Sequence, residues 1–224
     1  MQKKPLIAFR GVQKSFLGKE PIFSNIDMEI SKGEFTFLTG VSGAGKSTIF
    51  RLLLGLEKPD SGSITFNGAE VTAMVGEEKS RHRRSIGMIF QDYKLLEKRT
   101  AEDNIAIPLQ INGISRNTKE IKIKDIASKL KIGNILKQQV RSLSGGEQQL
   151  VAIARAAVHS PKLILADEPT ANLDQKMAGR IFDMLTLLNV EGITVIVATH
   201  DINLLKAHKR RILLLKQSCL IEVH

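Results

Sequence analysis

Residues 33–56 read GEFTFLTGVSGAGKSTIFRLLLGL, three pieces in succession. An apolar run at 34–39 has strand character, a glycine-rich turn follows, and Ile49, Leu52, Leu53 and Leu56 then recur at helical spacing. The turn satisfies G-x-x-x-x-G-K-[ST] at Gly40, Gly45, Lys46 and Ser47. The chemistry behind that pattern is anion binding. Glycines at 40, 43 and 45 let the backbone wrap with its N–H groups inward, and the helix start adds about half a positive charge. Lys46 then reaches the β and γ phosphates of a nucleotide, and the Ser47 hydroxyl is offered to Mg2+. A chance glycine-rich turn would lack the strand before it and the amphipathic helix after it. The stretch predicts an α/β nucleotide-binding core.

Working outward, the segments 6–16, 23–30 and 62–68 alternate apolar and polar residues between glycines, which predicts an antiparallel β subdomain. From about 100 to 158 the pattern is helical, with Ile123, Ile126 and Leu130 on one face and Gly133 as the expected C-cap. Two short apolar runs, KLILADEP (162–169) and ITVIVATH (193–200), have the length of strands buried on both faces. Helical patterns at 177–188 and 202–210 follow them, so a parallel sheet with crossover helices is expected, and residues 211–224 read as a hairpin. No linker or repeat divides the chain, and one domain is expected over 1–224, with a helical subdomain inserted at about 92–158.

The strand ends carry the remaining chemistry. Asp167 and Glu168 stand where an apolar run stops, the sheet edge at which open parallel sheets bind ligands. Adjacent residues there point different ways, so Asp167 can orient Mg2+ and its waters while Glu168 activates the attacking water. A helix cap plus a surface acid is the competing reading. Gln91 closes the run IGMIF and His200 closes ITVIVATH; each is either a site residue or an ordinary surface or structural side chain. Phe16 is either an adenine platform or a core aromatic. The segment LSGGEQQL (143–150) places two glycines at a second helix start, either a second anion site or a Ser-capped helix packed closely through glycine.

Composition narrows the class. The net charge of +10 points to an anionic partner, although the basic runs SRHRR (80–84) and AHKRR (207–211) are equally read as solvated faces. One cysteine, Cys219, excludes an internal disulfide. No window reaches eighteen apolar residues and the start has no leader pattern, so an unexported, soluble chain is expected.

Taken together, the phosphate loop, strand-end glutamine, LSGGEQQ, LILADEPTANLD and VATHD resemble, in kind and order, the ABC-type ATPases of the P-loop NTPase class, over essentially the whole chain. The resemblance implies a nucleotide set of Phe16, Gly40, Ser42, Gly43, Ala44, Gly45, Lys46, Ser47, Thr48 and Gln91. A second copy then supplies Ser144, Gly145, Gly146, Glu147 and Asp174, the last from a loop at 172–174 that crosses between protomers. It further implies Glu168, His200, Gln91 and Lys46 as catalytic, Ser47, Gln91 and Asp167 as metal ligands, and ATP with Mg2+ as cofactors. Two copies would meet head to tail around two ATP. FLTGVSGAGKST, RRSIGMIFQDYKLLEKRTAEDNIAIPL and VATHDINLL resemble the FtsE family of bacterial cell-division ATPases in particular.

That implies peripheral placement at the cytoplasmic face of the inner membrane, an FtsX-like integral membrane partner, control of cell-wall hydrolysis, and no nucleic acid. The ATPase subunit of a lipoprotein-release or macrolide-type exporter is the alternative. Tyr93, Leu95 and Leu96 are expected to line the partner's groove. One departure is Leu150, where the family usually has arginine.

Overall fold

The computed structural model describes residues 4–16 and 20–223. In chain order, β1 (Ile7–Lys14), β2 (Phe23–Ile30) and β3 (Phe35–Gly40) lead to α1 (Lys46–Leu53), then β4 (Ser61–Phe66), β5 (Ala69–Glu70) and α2 (Gly76–Arg84). Next come β6 (Ile86–Ile89), α3 (Ala101–Ile111), α4 (Arg116–Lys129), α5 (Gly145–Ala157), β7 (Leu163–Asp167) and α6 (Gln175–Val190). The chain closes with β8 (Thr194–Ala198), α7 (Ile202–Ala207), β9 (Arg211–Lys216) and β10 (Cys219–Val223). The chain divides into two compact units, one from 1–83 and 194–224, the other from 84–193.

The first unit holds two sheets. One is antiparallel, in the order β2-β1-β4-β5; the other runs β10-β9-β3-β8, with β3 parallel to both β8 and β9. Five of the six residues of β3 and all of β8 are buried, as central parallel strands covered on both faces must be. β2 instead alternates over its second half, burying Ile26, Met28 and Ile30, and pairs Ile30 with Ile7 and Met28 with Phe9 of β1. The expected terminal hairpin is β9-β10, and Arg211 fastens it by donating to the Glu34 carboxylate, the Glu29 carbonyl and Glu222. The far end of the phosphate-loop helix is also tied down. His82 donates from Nε2 to the Leu53 carbonyl at 2.6 Å, and Arg83 donates to the carbonyls of Leu54 and Gly55. Burial holds the His82 imidazole below its ordinary range.

In the second unit, β6 and β7 are parallel, in register from Ile86↔Leu163 to Ile89↔Ala166. α5 lies tight on β6: a Cβ at Gly87 would sit 2.2 Å from the Ala156 carbonyl. Helix α3 begins with a reciprocal box between Thr100 and Asp103. The expected C-cap at Gly133 is wrong. α4 is capped by Leu130, Lys131 takes the left-handed position at φ 54, and Gly133 opens a separate short turn. Lys131 N–H bonds to Ser128 and Ile132 N–H to Ala127, the two-bond closure usual for glycine. Burial of Leu130 and Ile132, at 0% and 1% exposure, holds the turn there against lysine's backbone preference.

Candidate nucleotide site

The first unit supplies the phosphate loop. α1 has Gly45 as its N-cap, at φ 106, a residue with no side chain to cap the helix start. The glycine is required twice over: the conformation is left-handed, and a Cβ would fall 2.5 Å from Ile22 Cγ2 and 2.7 Å from the Phe23 ring. Lys46, only 8% exposed, donates from Nζ to the Gly40 carbonyl at 2.8 Å and the Val41 carbonyl at 3.3 Å, holding its charge over the loop. Ser47 and Thr48 follow in the first turn. β8 runs beside β3, with Leu38 opposite Ala198 and the Thr199 N–H on the Leu38 carbonyl. His200 therefore leaves the sheet at the same edge as the loop. Asp201 caps α7 behind it, accepting from the N–H groups of Asn203 and Leu204. Phe16 is half-buried just past β1, with Lys14 Nζ 5.2 Å from its ring centroid. The Ser15 N–H and Lys14 both bond Asp60, holding that carboxyl below its ordinary range.

The second unit gathers the carboxylates. Gln91 leaves just after β6 and Asp167 ends β7, so they share one edge of the parallel pair. Glu168 stands in left-handed backbone at φ 47, closed by the Ala171 N–H on its carbonyl at 3.1 Å. No glycine marks that position, and a strained non-glycine residue at a sheet edge is a frequent mark of a site. Among the described residues no group of three or more His, Cys, Asp or Glu side chains is arranged to hold a metal. Within this unit Asp167 and Gln91 offer oxygen donors of the kind Mg2+ takes together with water.

The second helix start behaves differently. Ser144 caps α5 by accepting from the Glu147 N–H, while the Glu147 carboxylate accepts from the Ser144 N–H at 2.9 Å and its hydroxyl at 2.7 Å. Those bonds hold the Glu147 carboxyl below its ordinary range. The two glycines divide: a Cβ at Gly145 would meet only the Tyr93 hydroxyl at 3.3 Å, but one at Gly146 would fall 2.7 Å from Met177. Asp174 caps α6 by accepting from the Met177 N–H, so the 172–174 loop and the α5 start meet at one methionine. Leu150 is 1% exposed, an apolar core residue of α5.

Three residues escaped the sequence reading. Arg155 of α5, held below its ordinary range by burial, donates to the carbonyls of Tyr93 and Lys94, both left-handed, just beyond Gln91. Asn104, fully buried, bonds Leu96 through both its N–H and its carbonyl, while the Leu96 side chain stays 51% exposed. Gln149 donates to the Pro169 carbonyl at 2.7 Å. A polar residue inside an apolar helical run was the available signal for all three.

Residues 23–171 match the family described as ABC transporter. The chain is 43% identical over 210 residues to the cell division ATP-binding protein FtsE of Escherichia coli, covering 94% of this chain and 95% of that protein. It is 39% identical over 201 residues to the macrolide export ATP-binding/permease protein MacB 1/2 of Paracoccus denitrificans, covering 88% of this chain and 30% of that one. Among solved structures it superimposes with a TM-score of 0.86 and 32% identity, over 97% of each chain, on the ATP-binding cassette MJ0796, a dimeric post-hydrolysis state bound to ADP and Pi.

Proposed function

The chain belongs to the ABC transporter family and is an ATP-binding ATPase, and on that premise we propose that it drives an FtsEX-type membrane complex that governs cell-wall hydrolysis during division. The observation that carries the choice of complex is likeness to FtsE across 95% of that protein's length. Likeness to MacB, over 30% of a longer protein, favours an exporter ATPase as the second reading. Both readings use one engine, within a single domain over 1–224.

In this reading the backbone from Gly40 through Ser42, Gly43, Ala44 and Gly45 wraps the phosphates, and Lys46 moves from its carbonyl partners to the β and γ oxygens. Thr48 adds a second hydroxyl in that turn, and Phe16 stacks on adenine. Ser47, Asp167 and Gln91 hold Mg2+, which when bound neutralises charge on the β and γ phosphates. Glu168 takes the proton of the attacking water, and His200 donates to the γ phosphate. Two copies associate head to tail, and Ser144, Gly145, Gly146, Glu147 and Asp174 of one complete the site on the other, as the dimeric cassette structure supports. ATP then favours the closed pair by its differential affinity, and hydrolysis reopens it.

No described helix is long and apolar enough to cross a membrane, so anchorage is assigned to an integral FtsX-like partner at the cytoplasmic face of the inner membrane. The exposed Leu96 side chain, on a backbone fixed by Asn104, offers that partner an apolar contact beside Tyr93 and Leu95. Two measurements test this. Capture of the chain with its membrane complex, followed by identification of the partner, separates an FtsX-like protein from an export permease. Leu96→Glu is expected to abolish membrane recruitment while nucleotide affinity stays within about twofold, since hot-spot contacts are few and apolar. Recruitment unchanged would move the partner's seat elsewhere.

A further inference from the structure

We infer that Gln149 of α5 is a positioning residue for the carboxylate of Glu168, acting through the Pro169 carbonyl; the inference rests on the reading of Glu168 as the water-activating base. Gln149 is 1% exposed, and its Nε2 donates to the Pro169 carbonyl at 2.7 Å. A carbonyl only accepts, so the amide orientation is fixed by its partner. Its Oε1 is left buried with no hydrogen-bond partner among the described residues. An unpaired buried oxygen is destabilising, and methionine or leucine would fill the same volume without it. Burial alone therefore does not account for a glutamine here.

What the amide reaches does account for it. Glu168 stands at φ 47, a backbone region that L residues with side chains seldom occupy. The ring of Pro169 disfavours the right-handed helical region for the residue before it, which leaves extended backbone as the competitor. A switch to extended geometry would swing the carboxylate away from the sheet edge. Glu168 is tied in front by the β7 ladder, with Ala166 opposite Ile89, and by the Ala171 N–H on its own carbonyl. The further tie, on the next peptide, comes from α5. The helix that starts at Ser144 thus imposes its position on the base from another element.

The experiment measures steady-state turnover and nucleotide affinity for Gln149→Met and Gln149→Leu, each alone and combined with Glu168→Gln. Methionine and leucine both fill the volume and remove the donor. We expect kcat to fall about 10- to 100-fold with affinity within about twofold, the scale of a misplaced reacting group. In the Glu168→Gln background the same substitutions are expected to change residual turnover by less than about twofold, because a residue acting through another loses its effect with it. Equal losses in both backgrounds, or unchanged kcat, would overturn the inference. Glu168→Gln turning over at the unsubstituted rate would instead overturn the reading of Glu168. Retained nucleotide binding certifies the fold, and if Gln149→Met fails that check, Gln149→Leu decides.

Discussion

Two helices in this chain begin with glycine-rich turns, and they solve the same problem in opposite ways. α1 starts at Gly45, which has no side chain to cap the helix. α5 starts at Ser144 with a reciprocal box, each partner satisfying the other. The first start has only backbone at its cap; the second has two donors, the Ser144 and Glu147 N–H groups, held by side chains. The difference orders events in the proposed cycle. A phosphate goes first to the loop of Lys46, where it takes the place of the lysine's bonds to two carbonyls. Only afterwards would a second copy bring Ser144, whose hydroxyl must exchange Glu147 for phosphate.

The largest effect separates the two starts by binding. Lys46→Ala removes a charge-assisted donor from the phosphates, and such a bond contributes about 1.5–3 kcal/mol, so nucleotide affinity is expected to fall about 10- to 150-fold. Ser144→Ala should leave the affinity of the isolated chain within about twofold, since its box lies on another helix, and should instead suppress ATP-dependent dimerisation. Titration with a fluorescent ATP analogue and light scattering with and without ATP check both. If Ser144→Ala weakened binding by the isolated chain as much as Lys46→Ala, the two starts would not differ in role.

Much of this contrast was legible in the sequence. The pattern at 40–47, the apolar run before it and the helix after it placed α1 and its neighbours, and LSGGEQQL offered a Ser-capped start as one of two readings. The strand-end positions of Gln91, Asp167 and His200 followed from apolar runs that stop. What was hidden has a common physical cause: a polar residue in an apolar helical run is a local signal, but the carbonyl it bonds is not. Arg155 to Tyr93, Asn104 to Leu96 and Gln149 to Pro169 each join residues whose partner depends on tertiary packing. The left-handed residues Tyr93, Lys94, Lys131 and Glu168 were hidden for a related reason. None is glycine, so their conformations are imposed by surroundings rather than by intrinsic preference.

A glycine-to-alanine pair sharpens the comparison through stability, with opposite signs. At Gly45 the added Cβ meets Ile22 and Phe23 below 3 Å in a left-handed conformation, and the expected loss is about 2–4 kcal/mol from strain and overpacking. At Gly145 the nearest atom is the mobile end of Tyr93, at 3.3 Å. There alanine is expected to be neutral or to stabilise by up to about 1 kcal/mol, the helix-propensity difference from glycine. Thermal unfolding of the two variants reads both. A Gly145→Ala loss as large as that at Gly45 would show that the α5 start is as constrained as the loop.

The smallest effect is a pH dependence confined to the capped start. Bonds from the Ser144 hydroxyl and N–H hold the Glu147 carboxyl below its unfolded value. A depressed carboxyl contributes stability that is fully present above the unfolded pKa and is lost as pH falls through the folded one. The box should therefore be intact at neutral pH and should weaken only in the acid range, below about pH 4.3, the ordinary value for glutamate. Its upper bound is the worth of the whole cap, about 1 kcal/mol. Comparing unfolding of the natural chain with Ser144→Ala at neutral pH and again near pH 3 isolates the contribution. The difference between the two proteins should shrink on acidification. A difference that stayed constant would mean that Ser144 caps the helix without help from the Glu147 charge. The second start would then resemble an ordinary serine cap, whose hydroxyl needs no exchange with a carboxylate before it can turn to phosphate.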